Sequence, residues 1–307
     1  MTRKERSEET QNEIFKEQKK ESLRHTLKIV FIGTIIFVIA CATFFTYTTF
    51  ISTSKIGVRE YRITNEKLPE SFNGLKIIQI SDLHYGSTMF MDNIKKIIDL
   101  SNERKPDIVI FTGDLINKEY KLKTKEQEEL INKLQQINAT LGKYAVEGDE
   151  DKELFTTIMN QSGFTILKNE YELIYNDTNN PILLIGLGSK LKDNLKVDDA
   201  FSYFKEETHN SDIYTISIFH EPDSTEDILN DYSSDLLLAG HSHNGNIRIP
   251  VINKAFYKKQ GAKKYDQEYY SINKSSLYIS SGLGTNNKSG IRLFCRPSIN
   301  FYRISRK

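Results

Sequence analysis

The sequence predicts an α/β domain, a sheet layered by helices, tethered by one N-terminal apolar helix. Three observations predict it. Short apolar runs alternate with helical spacing over residues 75–163, the pattern of strands separated by helices. The stretch from Ile29 to Phe50 carries no charge and has about the 20 residues needed to cross a hydrocarbon core. Asp and His recur just past the apolar runs, where ligands gather in open α/β sheets.

Composition narrows the classes. The chain has 307 residues, with 42 basic against 41 acidic. A sequence-wide basic surface is therefore absent, and no nucleic-acid partner is expected. A hydrophobic content of 38% suffices for a sizeable core. Cys41 and Cys295 give no disulfide framework, and Cys41 lies in an apolar stretch. Neither an intrachain bridge nor a disulfide-linked partner is expected.

The N-terminus reads as three pieces: a charged leader (1–28), a transmembrane helix (29–51) and one large domain (52–307). Phe44, Phe45, Tyr47 and Phe50 cluster at the far end of the apolar run, as at a membrane interface. Lys16, Lys19, Lys20, Arg24 and Lys28 precede the run closely, and the next charge after it is Lys55. The positive-inside rule then puts the N-terminus in the cytoplasm and the domain outside, on a single-pass anchor in the cell membrane. A cleaved signal peptide is the weaker reading, because the leader is long and no A-x-A site closes the run. A lipoprotein is also weaker. Val38-Ile39-Ala40-Cys41 resembles a lipobox, but more mostly apolar residues follow the Cys.

The elements follow in order. Residues 52–74 read as a linker and an entry strand, with Pro69 and Asn73-Gly74 as turn signals. Leu75 to Ile80 is a strand ending at Ser81-Asp82. Residues 90–104 carry Ile94, Ile97, Ile98 and Leu100 at helical spacing. Pro106 stops that helix, and Ile108 to Phe111 is the next strand. Residues 124–141 predict an amphipathic helix, Tyr144 to Val146 a third strand, and 153–163 a helix ending at Gly163. Beyond it the chain is β-rich. Strands are expected at Tyr171–Tyr175, Ile182–Gly186, Ile213–Phe219, Leu236–Ala239, Leu277–Ser280 and Ile299–Ile304, with a helix around 223–231. The Lys-, Gln- and Tyr-rich stretch 253–270 reads as a solvated loop. Glu221 and the Lys258–Lys264 cluster read as surface residues without ligand contact.

Seven residues carry the chemistry: Asp82 and His84, Asp114, His220, His241 and His243, and Asp149 between the second and third words. Asp82 and His84 alternate after a strand, so a tight turn aims both at one point. A carboxylate oxygen beside an imidazole nitrogen suits Mn, Fe or Zn rather than an all-oxygen Mg cage. Gly113 lets the backbone turn sharply before Asp114. One Asp bridging two cations through its two oxygens would hold them about 3.5–4 Å apart. Any one His alone would read as structural. Four of the six histidines in these words, in order with two aspartates at strand ends, do not.

These words resemble a calcineurin-like metallophosphoesterase of the membrane-anchored bacterial branch. That family's pattern is D-x-H, G-D, G-N-H-D, H and G-H-x-H. Here it reads Asp82-Leu83-His84, Gly113-Asp114, Gly148-Asp149-Glu150-Asp151, His220 and Gly240-His241-Ser242-His243. Ser281 to Thr285 and Arg292 to Pro297 look like the branch's closing segments. The resemblance implies a four-layer αββα sandwich of two mixed sheets. It also implies two divalent metal ions. Asp82, His84, Asp114 and His243 would hold one; Asp114, Asp149, His220 and His241 would hold the other. Hydrolysis of a phosphoester by a water activated between them would follow.

One word departs from the pattern. Asp149 stands where the family has Asn, and Glu150 where it has His. Asp149 still offers an oxygen ligand and adds a negative charge. Glu150 and Asp151 occupy the catalytic positions, but a carboxylate beside two cations is ionised near neutral pH. It would repel phosphate rather than protonate a leaving group, and loss of a general acid costs about 10²–10⁴-fold. Two readings stay open. One is an active phosphoesterase whose substrate, lipid- or envelope-linked, has a good leaving group or whose acid lies elsewhere. The other is a catalytically weakened sensor or scaffold that binds metal or a phosphorylated ligand.

Overall fold

The computed structural model describes residues 3–47, 55–205, 212–243, 259–285, 292 and 295–307. It divides into two compact units, Met1–Thr48 and Thr49–Lys307. The first is one helix, α1 (Arg3–Thr46). It contains a stretch long and apolar enough to cross a membrane, and its apolar side chains, Phe31, Ile36 and Phe37 among them, are exposed. The helix runs on through the charged leader. Residues 48–51 of the expected span lie outside the described residues.

The second unit holds twelve described strands in two six-stranded sheets. The first sheet has the order β1 (Gly57–Asn65), β12 (Ser298–Arg306), β2 (Leu75–Ile80), β3 (Ile108–Thr112), β4 (Gly142–Val146), β5 (Thr165–Ile166). Strands β2 to β5 are parallel, β12 runs antiparallel to β2, and β1 is parallel to β12. The second sheet has the order β10 (Tyr269–Ile272), β11 (Ser275–Ile279), β9 (Leu236–Ala239), β8 (Thr215–Ile218), β7 (Ile182–Gly186), β6 (Glu170–Ile174). Its four central strands are parallel and both edges antiparallel. Both sheets are mixed, as expected.

Burial on both faces explains the continuous apolar runs of the central strands. Alternate residues of β3 point opposite ways. Ile108 and Ile110 join Leu184, Ile216 and Leu238 of the other sheet in a core between the sheets. Val109 and Phe111 face outward instead. There they meet α2 (Met91–Glu103), α3 (Thr124–Leu134) and α4 (Glu153–Gln161) through Ile97, Leu130 and Phe155. On the far side, Leu183, Ile185 and Leu237 pack under α5 (Val197–Ala200) and α6 (Ser224–Asp231) through Ala200 and Ile228. Helix, sheet, sheet, helix is the four-layer order. A polar tie crosses the central core. Buried Gln79 of β2 donates to Ala239 O of β9 at 2.9 Å and accepts from Tyr302 Oη at 2.7 Å.

Two sequence expectations are corrected. The helix expected over 124–141 ends at Leu134, because Asn102 takes over the following backbone. Its Nδ2 donates to Gln136 O at 2.8 Å, and its Oδ1 accepts from Asn138 N at 2.9 Å. The stretch 253–270 ends in β10, which pairs with β11 across the Asn273-Lys274 turn. Its residues 253–258 lie outside the described residues.

Candidate metal centre

All seven predicted residues lie past the carboxyl ends of parallel strands: β2, β3 and β4 from one sheet, β8 and β9 from the other. The strand ends of both sheets converge, so side chains far apart in sequence meet. Asp82, His84, Asp114, His241 and His243 sit at positive φ, between 42° and 63°, where Asp and His are tolerated better than most residues. Gly113, at φ 89°, could not carry a side chain: a Cβ would stand 2.5 Å from His220 Nδ1.

The residues form two adjoining groups whose ligand atoms lie within 4.8 Å of one another. One is Asp82, His84 and His243; the other is Asp114, Asp149, His220 and His241. A third grouping, His84, Asp114 and Glu150, shares members with both. All seven are buried except Asp149, whose side chain is 23% exposed.

Hydrogen bonds at the far ring nitrogens fix the histidines. His220 Nδ1 donates to Thr112 O at 2.6 Å, which turns Nε2 toward Asp149 and Asp114. His241 Nε2 donates to Gln260 O at 2.7 Å, so Nδ1 faces Asp149 Oδ1 at 2.9 Å. His84 Nε2 faces Asp114 and His243, the latter at 3.2 Å, with Nδ1 on the Glu150 side. Such outer bonds select the tautomer that leaves one lone pair for a metal. His243 Nε2 lies 3.3 Å from Asp82 Oδ1. Burial, then the Lys259 charge, holds His243 well below the usual imidazole range, so the ring is neutral. Buried Arg292 lies against it and donates to Ser281 O.

The donor set fits divalent cations on an observation independent of motif. Asp114 Oδ2 is buried and has no hydrogen-bond donor. It lies 3.3 Å from His220 Nε2 and 3.5 Å from His84 Nε2, facing both groups at once. A buried carboxylate oxygen without a partner is costly, and cations in the two groups would satisfy it. Asp114 Oδ1 accepts from Glu150 N at 3.0 Å, which holds the carboxylate with Oδ2 turned toward both groups. Burial works against ionisation of Asp114 and Asp149. The close imidazole of His220, joined by His84 at Asp114 and by His241 at Asp149, outweighs it and holds both well below the usual carboxylate range.

The divergent word has a definite geometry. Glu150 is buried, and its pKa is lowered: burial opposes this, while His84 and Lys118 win. Asp151 accepts from Asp114 N and Leu115 N at 2.8 Å and from Gly148 N at 2.9 Å. It ties the turn after β3 to the turn after β4, rather than merely lacking an imidazole to support. Burial, then the Asp114 charge, pushes Asp151 up to about 7.

Sequence reasoning missed several neighbours. Glu221, expected at the surface, is fully buried. It accepts from Ser189 Oγ and from Lys190 N at 3.2 Å. Its place directly after His220 was the available signal. Lys259, expected to be solvated, donates to His241 O at 2.6 Å, so this loop does meet the site. Lys258 lies outside the described residues. Lys118 pairs with Glu150 at 3.1 Å, and nothing in the local sequence marks it. A cleft of about 580 Å³ lies at Lys67, Tyr175, Tyr203 and Arg306 and contains none of these groups.

The model of calcineurin-like phosphoesterases matches residues 75–245, more than half of the chain and every ligand position. The chain belongs to this family. It is therefore a metallophosphoesterase, a hydrolase of phosphoester bonds. It is similar to the uncharacterized metallophosphoesterase YkuE of Bacillus subtilis, 26% identical over 291 residues, which cover 93% of this chain and 98% of YkuE. It is also similar to phosphodiesterase YaeI of Escherichia coli, 25% identical over 75% of this chain and 82% of YaeI. A third relative is the UDP-2,3-diacylglucosamine pyrophosphatase LpxG of Chlamydia muridarum, 26% identical over 76% of this chain and 85% of LpxG.

Proposed function

We propose that the chain is a membrane-anchored phosphoesterase that uses two divalent cations, Mn, Fe or Zn, to hydrolyse a lipid- or envelope-linked phosphoester. The observation that carries the metal requirement is Asp114 Oδ2, orphaned between two sets of imidazole nitrogens. Asp82, His84, Asp114 and His243 would hold one cation; Asp114, Asp149, His220 and His241 the other. Bound there, the cations would supply Lewis acidity and lower the pKa of an attacking water. The chain's own residues do the rest. Thr112 O and Gln260 O hold the rings of His220 and His241. Asp151 holds the Asp114 turn through its backbone.

The anchor rests on α1, whose apolar surface is exposed and long enough to span, and on the basic residues before it. Those residues favour a cytoplasmic N-terminus and an extracytoplasmic domain. Protease access to the domain in intact cells tests this, and protection would overturn it. A tether raises local concentration at the membrane. LpxG is named for a lipid-bearing substrate, and both facts favour the lipid- or envelope-linked class. The neutral charge balance disfavours nucleic acid.

The ionised Glu150 favours the second reading, a weakened enzyme acting as a metal or phosphate-ligand sensor. One experiment separates the two. The Mn²⁺-loaded chain is assayed on a chromogenic phosphodiester beside Asp114→Ala and Glu150→His. Turnover that vanishes with Asp114→Ala supports the enzyme. An inert parent that binds metal and gains turnover with Glu150→His supports the sensor. Failure to bind metal sinks both.

A further inference from the structure

We propose that Lys118 and Glu150 together occupy the role of the imidazole that the G-N-H-D word would supply. Glu150 is a positioning residue for His84, and Lys118 binds a phosphate oxygen of the substrate. The proposal rests on the phosphoesterase reading and assigns two further residues to that site.

The two oxygens of Glu150 have different neighbours. Oε1 accepts from Lys118 Nζ at 3.1 Å, and Oε2 stands 3.5 Å from His84 Nδ1. His84 Nδ1 and Glu150 Oε2 are both buried, and neither has another hydrogen-bond partner. Leaving two buried polar atoms unmatched is unfavourable, and a shift of a few tenths of an ångström makes them a hydrogen bond. Oε2 lies on the Nδ1 edge of the ring. The ligand-facing atom, Nε2, looks the other way, toward Asp114 and His243. Glu150 therefore orients the imidazole from behind, as outer carboxylates do for metal-bound histidines. Its backbone N–H also donates to Asp114 Oδ1 at 3.0 Å, so the same residue steadies both sides of the cluster.

Lys118 is placed differently. Its side chain is 55% exposed, while the Glu150 side chain is 5% exposed. An ammonium has three donors, and Glu150 accounts for one. Lys118 and Glu150 both line a small cavity with Asn117, Tyr120 and Lys152. Relative to the family's word, Asp149 and Glu150 bring two carboxylates to a site that must take an anion. Lys118 returns a positive charge at the side where the new carboxylate meets solvent. A lysine serves phosphate as a mobile point charge, so it can turn from Glu150 toward a bound phosphoryl oxygen without leaving the pair.

The test uses the full chain in detergent and two readouts other than turnover: Mn²⁺ affinity, and inorganic phosphate affinity of the Mn²⁺-loaded protein, both by calorimetry. Glu150→Ala is expected to weaken Mn²⁺ binding about 10–100-fold, the usual consequence of removing a partner behind a ligating histidine. Glu150→Gln should recover most of it, because the amide oxygen still accepts from Nδ1–H. Lys118→Met should leave Mn²⁺ affinity within about twofold, as a surface change does. It should weaken phosphate binding about tenfold, the loss of one charge-assisted hydrogen bond, with Lys118→Arg restoring it. A parent that binds no Mn²⁺ overturns the phosphoesterase reading and this one with it. If the parent binds Mn²⁺, unchanged Mn²⁺ affinity in Glu150→Ala or unchanged phosphate affinity in Lys118→Met overturns this proposal alone.

Discussion

Replacing Asp151 with alanine should destabilise the domain without touching a metal ligand. Three buried N–H groups, those of Asp114, Leu115 and Gly148, donate to its carboxylate at 2.8–2.9 Å. Each orphaned donor costs about 1–3 kcal/mol. Water entering the vacated space would recover part of this, and losing a charge beside Asp114 relieves some repulsion. The low end of the range for three donors, about 3 kcal/mol, is the expected loss. Asp151→Asn should cost about one donor, roughly 1–3 kcal/mol. Its single carbonyl oxygen can keep Asp114 N and Gly148 N, which share Oδ2, while its amide turns a donor toward Leu115 N. The assay is urea unfolding of residues 49–307, a compact unit, in EDTA. The raised pKa of Asp151 adds a sign. A carboxyl raised above its unfolded value favours the protonated folded state, so its contribution is present in acid and lost as pH rises toward about 7. The gap between parent and Asp151→Ala should therefore narrow between about pH 4 and about pH 7. An alanine variant within about 0.5 kcal/mol of the parent, the scatter of ordinary surface changes, would refute the reasoning.

Metal should stabilise the parent by about 2.7 kcal/mol at a hundred times its Kd; a melting curve with and without Mn²⁺ checks this, and Asp114→Asn should lose most of the shift. Gly148→Ala should impair metal binding though no ligand changes, because the new Cβ would overlap Asp114 Oδ1 and stand 2.6 Å from Asp114 N; unaltered Mn²⁺ affinity by calorimetry would contradict that. Turnover should fall steeply as the leaving-group pKa of aryl and alkyl phosphodiesters rises, and Glu150→His should flatten the dependence, a general acid being worth about 10²–10⁴-fold. Burial pushes Tyr144 and Tyr278 up to about 12. Their neutral forms therefore favour the fold below the ordinary phenol value, and stability should fall as pH rises from about 10 through about 12. Alkaline unfolding followed by tyrosinate absorbance tests this, and the slope should lessen in Tyr144→Phe.

The strand ends were legible because the chemistry is written directly after them. Leu75–Ile80 and Leu236–Ala239 appear at their expected bounds, and Asp82 and His241 follow at once. What escaped depends on contacts distant in sequence. Asn102 cuts short a helix that its own periodicity would carry to Leu141. Lys259 reaches His241 across a stretch whose composition suggests only solvent. The bond that sets the Asp114 carboxylate comes from Glu150 N, 36 positions away. Glu221 looks like a surface charge until Ser189 and Lys190 close over it.

The left-handed turns also bear on which positions can drift. Asp82, His84, Asp114, His241 and His243 answer to two demands, a donor atom and a backbone that most residues resist. Asp149 and Glu150 have no such turn; only their chemistry recommends them. The word that departs from the family's pattern is one where a substitution meets no conformational barrier. New chemistry could therefore be tried at those two positions, by lineage or by design, on a frame that the other five keep in shape.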